Sequence, residues 1–172
     1  SIIIPCYNEE NNIEDLLKKV NSVKLENIAK EIIVVDDCSM DDSRSVLEKN
    51  KDKIQKILYH TENMGKGAAL RTGIQNATGD YIGYIDSDDY IDSNFYSNMM
   101  NRIIKENADM AISDMKVVFE NQNNREVIDY AKGEGCDKLA YINTGLAASA
   151  CNKVFKRELI EKYKFSEGKV NE

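Results

Sequence analysis

A chain of 172 residues, 42% apolar and 31% charged, is long enough to bury one core and too short for two large ones. A net charge of −7 excludes a nucleic-acid backbone as partner, which needs a basic face. No run approaches the roughly 18 consecutive apolar residues of a membrane span.

The first element is Ile2-Ile3-Ile4 before Pro5, a continuous apolar run that reads as a strand covered on both faces. Ile13, Leu16, Leu17 and Val20 then recur at helical spacing. Residues 32–35 form a second buried strand that ends in Asp36-Asp37, and Asp41-Asp42 is expected to cap a helix carrying Val46 and Leu47. Residues 54–59 read as a third strand, and Leu70, Gly73, Ile74 and Ala77 as the packing face of a third helix. Residues 81–85 make the fourth strand. A helix follows, packed through Phe95, Met99, Met100, Ile103 and Ile104. Four alternations of strand and helix predict an α/β fold with a mostly parallel, doubly wound, Rossmann-like sheet.

Past Asn107 the rhythm changes. Residues 110–119 and 126–130 flank the polar run Asn121-Gln122-Asn123-Asn124, which predicts a hairpin or a strand leaving the main sheet. A short helix at 137–142, a strand at 152–155 and a helix at 157–163 are expected next. With no Pro/Gly-rich linker, residues 1–172 read as one domain. The opening at Ser1 and the close at Glu172 read as cut ends of a longer protein.

The four cysteines, Cys6, Cys38, Cys136 and Cys151, form no C-x-x-C pair and meet one histidine, His60. They read as packed thiols of a reducing cytoplasm rather than a zinc site. The chemistry-bearing feature is the fourth strand running into Asp86-Ser87-Asp88-Asp89. Carboxylates so close repel unless a cation sits between them, and oxygen donors favour Mg²⁺ or Mn²⁺. The plainer reading is a solvated turn, with Asp92 or Ser93 capping the next helix. Pro5-Cys6-Tyr7-Asn8-Glu9 and Asp36-Asp37-Cys38-Ser39 end two other strands, so a parallel sheet brings all three clusters to one acidic edge.

Asn63-Met64-Gly65-Lys66-Gly67 opens the third helix, and with Arg71 it offers backbone N–H groups and positive charge to a phosphate. The glycines could equally serve a tight turn only, and Arg71 the helix surface. No P-loop fits, because Lys66 is followed by Gly67 and no Gly stands at the earlier position. Leu70 occupies the third glycine position of a dinucleotide fingerprint, and a receiver-type phosphotransfer site needs its acidic pair after the first strand, where Pro5-Cys6-Tyr7 stands.

The succession Ser1-Ile2-Ile3-Ile4-Pro5-Cys6-Tyr7-Asn8-Glu9, Ile33-Val34-Val35-Asp36-Asp37-Cys38-Ser39, Asn63-x-Gly65-Lys66-Gly67, Ala77-Thr78-Gly79-Asp80-Tyr81 and Asp86-Ser87-Asp88-Asp89 resembles the family 2 glycosyltransferases. The tail from Cys151-Asn152-Lys153-Val154-Phe155 to Phe165-Ser166-Glu167-Gly168 is similar to that family's bacterial members. The resemblance implies a GT-A fold, inverting transfer from a UDP-sugar and a divalent metal, Mn²⁺ or Mg²⁺. It implies a nucleotide-binding half over 1–107 and an incomplete acceptor-side half over 108–172.

Residue by residue, Pro5, Tyr7 and Glu9 would line the nucleoside pocket. Asp37 would accept a hydrogen bond from uracil while Asp36 shapes the turn, and Asn63 and Arg71 would sit against base and diphosphate. Asp86 and Asp88 would form the D-x-D pair, with Asp88 on the metal and Asp86 on ribose or metal. Asp89 and Lys153 are the acceptor-side candidates, and Lys153 or Arg71 would also help neutralise the diphosphate. The family's base is the Asp of a Glu-Asp pair. Glu172 matches that Glu, so the base is expected at the next position, and the chain as given is expected to transfer sugar poorly. The acceptor would be a polysaccharide, cell-envelope or lipid-linked saccharide, and the full-length enzyme cytoplasmic or membrane-peripheral. The alternative is a catalytically silent nucleotide-binding or receiver-like Mg²⁺ module.

Overall fold

Strands β1 (Ile2–Cys6) and β2 (Ile32–Asp36) are buried at all five positions, as unbroken apolar runs demand when both sheet faces are covered. A computed structural model of the chain describes residues 1–113, 116–121, 124–129 and 150–162. With β3 (Lys56–Tyr59), β4 (Tyr81–Tyr84), β5 (Met110–Ile112) and β8 (Lys153–Lys156) they form one sheet in the order β3-β2-β1-β4-β8-β5. The first four strands are parallel, and β8 runs antiparallel between β4 and β5. The doubly wound, mostly parallel α/β sheet expected from the sequence is present.

The pleat divides the core. Ile2, Ile4 and Val34 face α1 (Ile13–Ser22) and α4 (Phe95–Glu106), packing on Ile13, Leu17, Tyr96, Met99 and Ile103. Ile3, Ile33, Val35 and Ile82 face the other way, onto Ala69 of α3 (Lys66–Asn76) and Ile160 of α5 (Arg157–Lys162). Each fully buried aliphatic side chain contributes about 1.5–3 kcal/mol of transfer free energy. Two glycines set the helix–sheet spacing. A Cβ on Gly73 would collide with the Ile3 side chain, and one on Gly83 would stand 2.7 Å from Tyr96 Cε1.

Several local expectations change. The first turn of α2 (Ser43–Lys49) is satisfied by Asp41, whose Oδ1 accepts the Ser43 N–H at 2.9 Å, whereas Asp42 makes no side-chain cap bond. Neither Asp92 nor Ser93 caps α4, whose cap position is Asn94. Strand β3 begins at Lys56 rather than 54, because residues 51–53 form a 3-10 turn and Gln55 turns its side chain to the Ile32 N–H. Ile104 is 57% exposed and does not pack, since it falls beyond the apolar stripe set by Met99, Met100 and Ile103.

Residues 110–119 are not one arm of a hairpin. Met110–Ile112 pairs with β8 at the sheet edge, and a separate hairpin joins β6 (Lys116–Asn121) to β7 (Asn124–Asp129). The helix expected at 137–142, Tyr163, and the Phe165-to-Glu172 tail lie outside the described residues.

Candidate functional site

Strands β1 and β4 pair only at Ile2 with Gly83 and Ile3 with Tyr84. Beyond that they part, and Pro5 has no N–H with which to continue the ladder. Chain order also reverses direction across the sheet here, because β2 and β3 lie to one side of β1 and β4 to the other. Such a switch point leaves a crevice at the carboxyl ends of the strands. A cleft of about 370 Å³ opens there, lined by Pro5, Tyr7 and Glu9 after β1, Asp37 after β2, Asn63 and Lys66 at the start of α3, and Asp86 and Asp88 after β4.

The turns after β1 and β2 are braced by one another. The Asn8 N–H donates to Ser39 Oγ at 3.0 Å, the Glu9 N–H to Ser43 Oγ at 2.7 Å, and the Met40 N–H to Asn8 Oδ1 at 2.8 Å. Asp36 is wholly buried, with Arg44 Nε 2.6 Å from its Oδ2, which also accepts the Ser39 N–H. It shapes the turn and does not line the cleft. Burial and the Asp36 and Glu9 charges push the Cys6 thiol up to about 12, which keeps it an inert thiol at neutral pH.

Asp37 reaches the cleft, and its carboxylate is heavily engaged. Oδ1 accepts the Met64 N–H at 2.9 Å and stands 2.6 Å from His60 Nδ1, and Oδ2 accepts the Gly65 N–H at 2.6 Å. A carboxylate offers about four lone-pair sites, so Oδ2 retains capacity for one more donor. Gly65 sits at φ +81°, a conformation open to glycine and costly for other residues.

After β4 the acidic run curls in a turn in which the Asp89 N–H donates to the Asp86 carbonyl. Lys66 Nζ lies 2.6 Å from Asp86 Oδ2, and that carboxylate holds the ammonium above its ordinary value although partial burial opposes it. Strand β8 begins beside the end of β4 because it runs antiparallel. Cys151 therefore comes to Asp86, its Sγ 3.4 Å from Oδ2. Asp86, Asp89 and Cys151 each offer a ligand atom, all within 4.8 Å of one another. Desolvation by the surrounding protein and the Asp86 and Asp88 charges push Asp89 up to about 6. The two carboxylates are donors suited to a hard divalent cation, Mg²⁺ or Mn²⁺.

Of the expected site residues, Pro5, Tyr7, Glu9, Asp37, Asn63, Asp86 and Asp88 meet in this cleft. Arg71 does not line it. Its Nη1 reaches the first turn of α3, 3.6 Å from where a Cβ on Gly67 would stand. Lys153 is buried on β8, donating to Asn152 Oδ1 at 2.8 Å. Glu172 lies outside the described residues. Sequence reasoning missed Cys151, which only the antiparallel return of β8 brings in, and His60, whose partner is 23 residues away.

Residues 1–164 match the model of the family described as Glycosyl transferase family 2. The glycosyltransferase GlyA of Streptococcus pneumoniae serotype 4 is 29% identical over 189 aligned residues, covering 100% of this chain and 26% of GlyA. The crystal structure of Staphylococcus aureus TarS 1-349 superposes with a TM-score of 0.75 at 24% identity, covering 94% of this chain and 48% of that one. The Pyrobaculum calidifontis mannosyltransferase PcManGT, solved with GDP-Man and Mn²⁺, superposes with a TM-score of 0.67 at 20% identity, covering 95% of this chain and 46% of that one. The chain thus spans about a quarter to a half of the proteins it matches.

Proposed function

The chain belongs to glycosyl transferase family 2, and from that premise we propose that its cleft binds a nucleotide-sugar donor, a UDP-sugar, with Mn²⁺ or Mg²⁺ at the Asp86-to-Asp89 turn. The observation that carries the reading is the meeting of three strand-end clusters and one lysine in a single cleft at the switch point. TarS has also been solved with UDP and with UDP-GlcNAc.

In this reading the uridine lies against Pro5 and Tyr7, near Glu9, and its ring N–H donates to the spare capacity of Asp37 Oδ2. Asn63 faces the base or ribose. Asp88, exposed on the lip of the cleft, and Asp86 hold the cation, with Asp89 and Cys151 close enough to Asp86 to share it. A bound divalent cation supplies charge neutralisation to the diphosphate as it leaves. Lys66, already at the cation turn, adds a second positive charge on the same side, a preorganised stabilisation of the leaving group. Arg71, whose Nη1 reaches the first turn of α3 beside Gly67, is a further candidate for the diphosphate.

Transfer is inverting: an acceptor hydroxyl attacks the anomeric carbon as a carboxylate removes its proton. That base belongs to the acceptor side. Lys153 and Asp89 border the acceptor side, and the acceptor is a polysaccharide, cell-envelope or lipid-linked saccharide.

Calorimetric titration of UDP, with Mn²⁺ and then with a chelator, tests the donor site. Binding in the low micromolar to millimolar range with Mn²⁺ and at least tenfold weaker binding in chelator are expected, since an anionic diphosphate beside three carboxylates needs a counter-cation. Equal affinity in both conditions rejects the cation at this turn.

A further inference from the structure

Asp37 is gripped from behind. His60 places Nδ1 2.6 Å from Asp37 Oδ1 and Nε2 2.9 Å from Thr72 Oγ1. The two side chains are only 10% and 4% exposed. An ionised carboxylate can only accept, so the proton between them sits on Nδ1, and Thr72 anchors the other edge of the ring. Backbone bonds fix the imidazole further: the His60 N–H donates to the Asp36 carbonyl at 2.9 Å, and Arg44 Nη2 donates to the His60 carbonyl at 3.0 Å. Asp37 in turn holds the Met64 and Gly65 amides. These are the residues between Asn63 and Lys66, both on the cleft wall.

We propose that His60 is a positioning residue for the nucleotide: by fixing Asp37 between β2 and α3, it sets the 63–66 loop and thereby the affinity of the cleft. The inference rests on the donor-binding reading above. His60 itself does not line the cleft, so it acts through Asp37. Without the imidazole, the Asp37 carboxylate keeps the loop amides but loses the donor that braces it from behind. The carboxylate that faces the base is then held from the loop side alone.

Two amide replacements separate positioning from packing. The side-chain amide of His60→Asn reaches the place of Nδ1 and keeps the bond to Asp37, whereas that of His60→Gln reaches toward Nε2 and loses it. UDP titration in Mn²⁺ is expected to give a Kd within about twofold of wild type for His60→Asn. For His60→Gln it is expected to be weaker by about tenfold, the lower end of the effect of losing a hydrogen bond to a charged group. Thr72→Val removes only the far anchor and is expected to weaken UDP about threefold. Amide exchange at Met64 and Gly65, followed by NMR, should quicken in His60→Gln and Thr72→Val and stay near wild type in His60→Asn.

A packing role alone would lower the melting temperature of both His60 variants and leave their UDP affinities and exchange rates equal, and that result overturns the proposal. Wild-type protein that binds no UDP refutes the donor reading instead. The exchange rates then still decide whether His60 sets the loop.

Discussion

Asp37 shows how one side chain serves both structure and recognition. Its two oxygens close the 63–66 loop and still face the cleft. Asp37→Ala is therefore expected to weaken UDP by about 1.5–3 kcal/mol through the lost bond to a charged group, while the Mn²⁺ dependence survives because Asp86 and Asp88 are untouched. Titrating the variant with and without chelator checks it; lost metal dependence with intact uridine affinity would reverse the roles of the two acidic clusters. Cys6 gives a second residue-level expectation. Buried and held as a thiol by a pKa near 12, it should resist iodoacetamide in the native protein, while the partly exposed Cys38 reacts. Peptide mass spectrometry after brief labelling reads this directly, and equal labelling of the two would contradict the burial of the β1 end.

Among the elements, α3 carries the most demanding fit, because Gly73 lets the helix lie against Ile3 without space for a methyl group. Gly73→Ala gains helix propensity yet is expected to destabilise the fold by about 1–3 kcal/mol, the usual cost of overpacking. Denaturant unfolding measures it, and a neutral or stabilising result would mean that the helix stands off the sheet. The same elements explain what could be read from the chain. The apolar runs of β1, β2 and β4 and the stripe of α1 are local patterns, so they announced both the sheet and the edge where its acidic turns meet. Strand β5 carries only three residues, two of them exposed, and among the described residues joins the sheet through β8, about 40 residues later in the chain. No local period encodes that pairing. The approach of Cys151 to Asp86 and the clasp of His60 on Asp37 were hidden for the same reason, since both come from topology rather than from neighbouring residues.

For the molecule as a whole, the two ends of the sheet do different work. At the edge away from the cleft, Glu31 binds together the chain around three strands, accepting from the Ser1 hydroxyl, the Thr78 N–H and hydroxyl, and pairing with Lys56. Burial pushes its carboxyl up, but these partners outweigh it and hold the group at about 2 against an ordinary 4.5. A depressed folded-state pKa adds stability that is fully present above the unfolded value and fades as pH falls from about 4.5 toward 2. Melting curves should thus show wild type more stable than Glu31→Gln near neutrality, with the gap closing across that acid window; a gap independent of pH would contradict the assignment. At the opposite edge, carboxylates outnumber the one lysine that lines the cleft, and among the described residues no helix is long and apolar enough to cross a membrane. The central claim is that this edge, at the parting of β1 and β4, takes the diphosphate and its cation. Paramagnetic line-broadening by Mn²⁺ in the presence of UDP tests it most directly on isotopically labelled protein. The expected result is UDP-dependent broadening centred on the amides of Asp86, Ser87, Asp88 and Asp89 and reaching Lys66, while Asp80 and Arg157 at the far edge stay sharp. Broadening centred at the far edge, or none around Asp86 to Asp89 with UDP bound, would contradict the account.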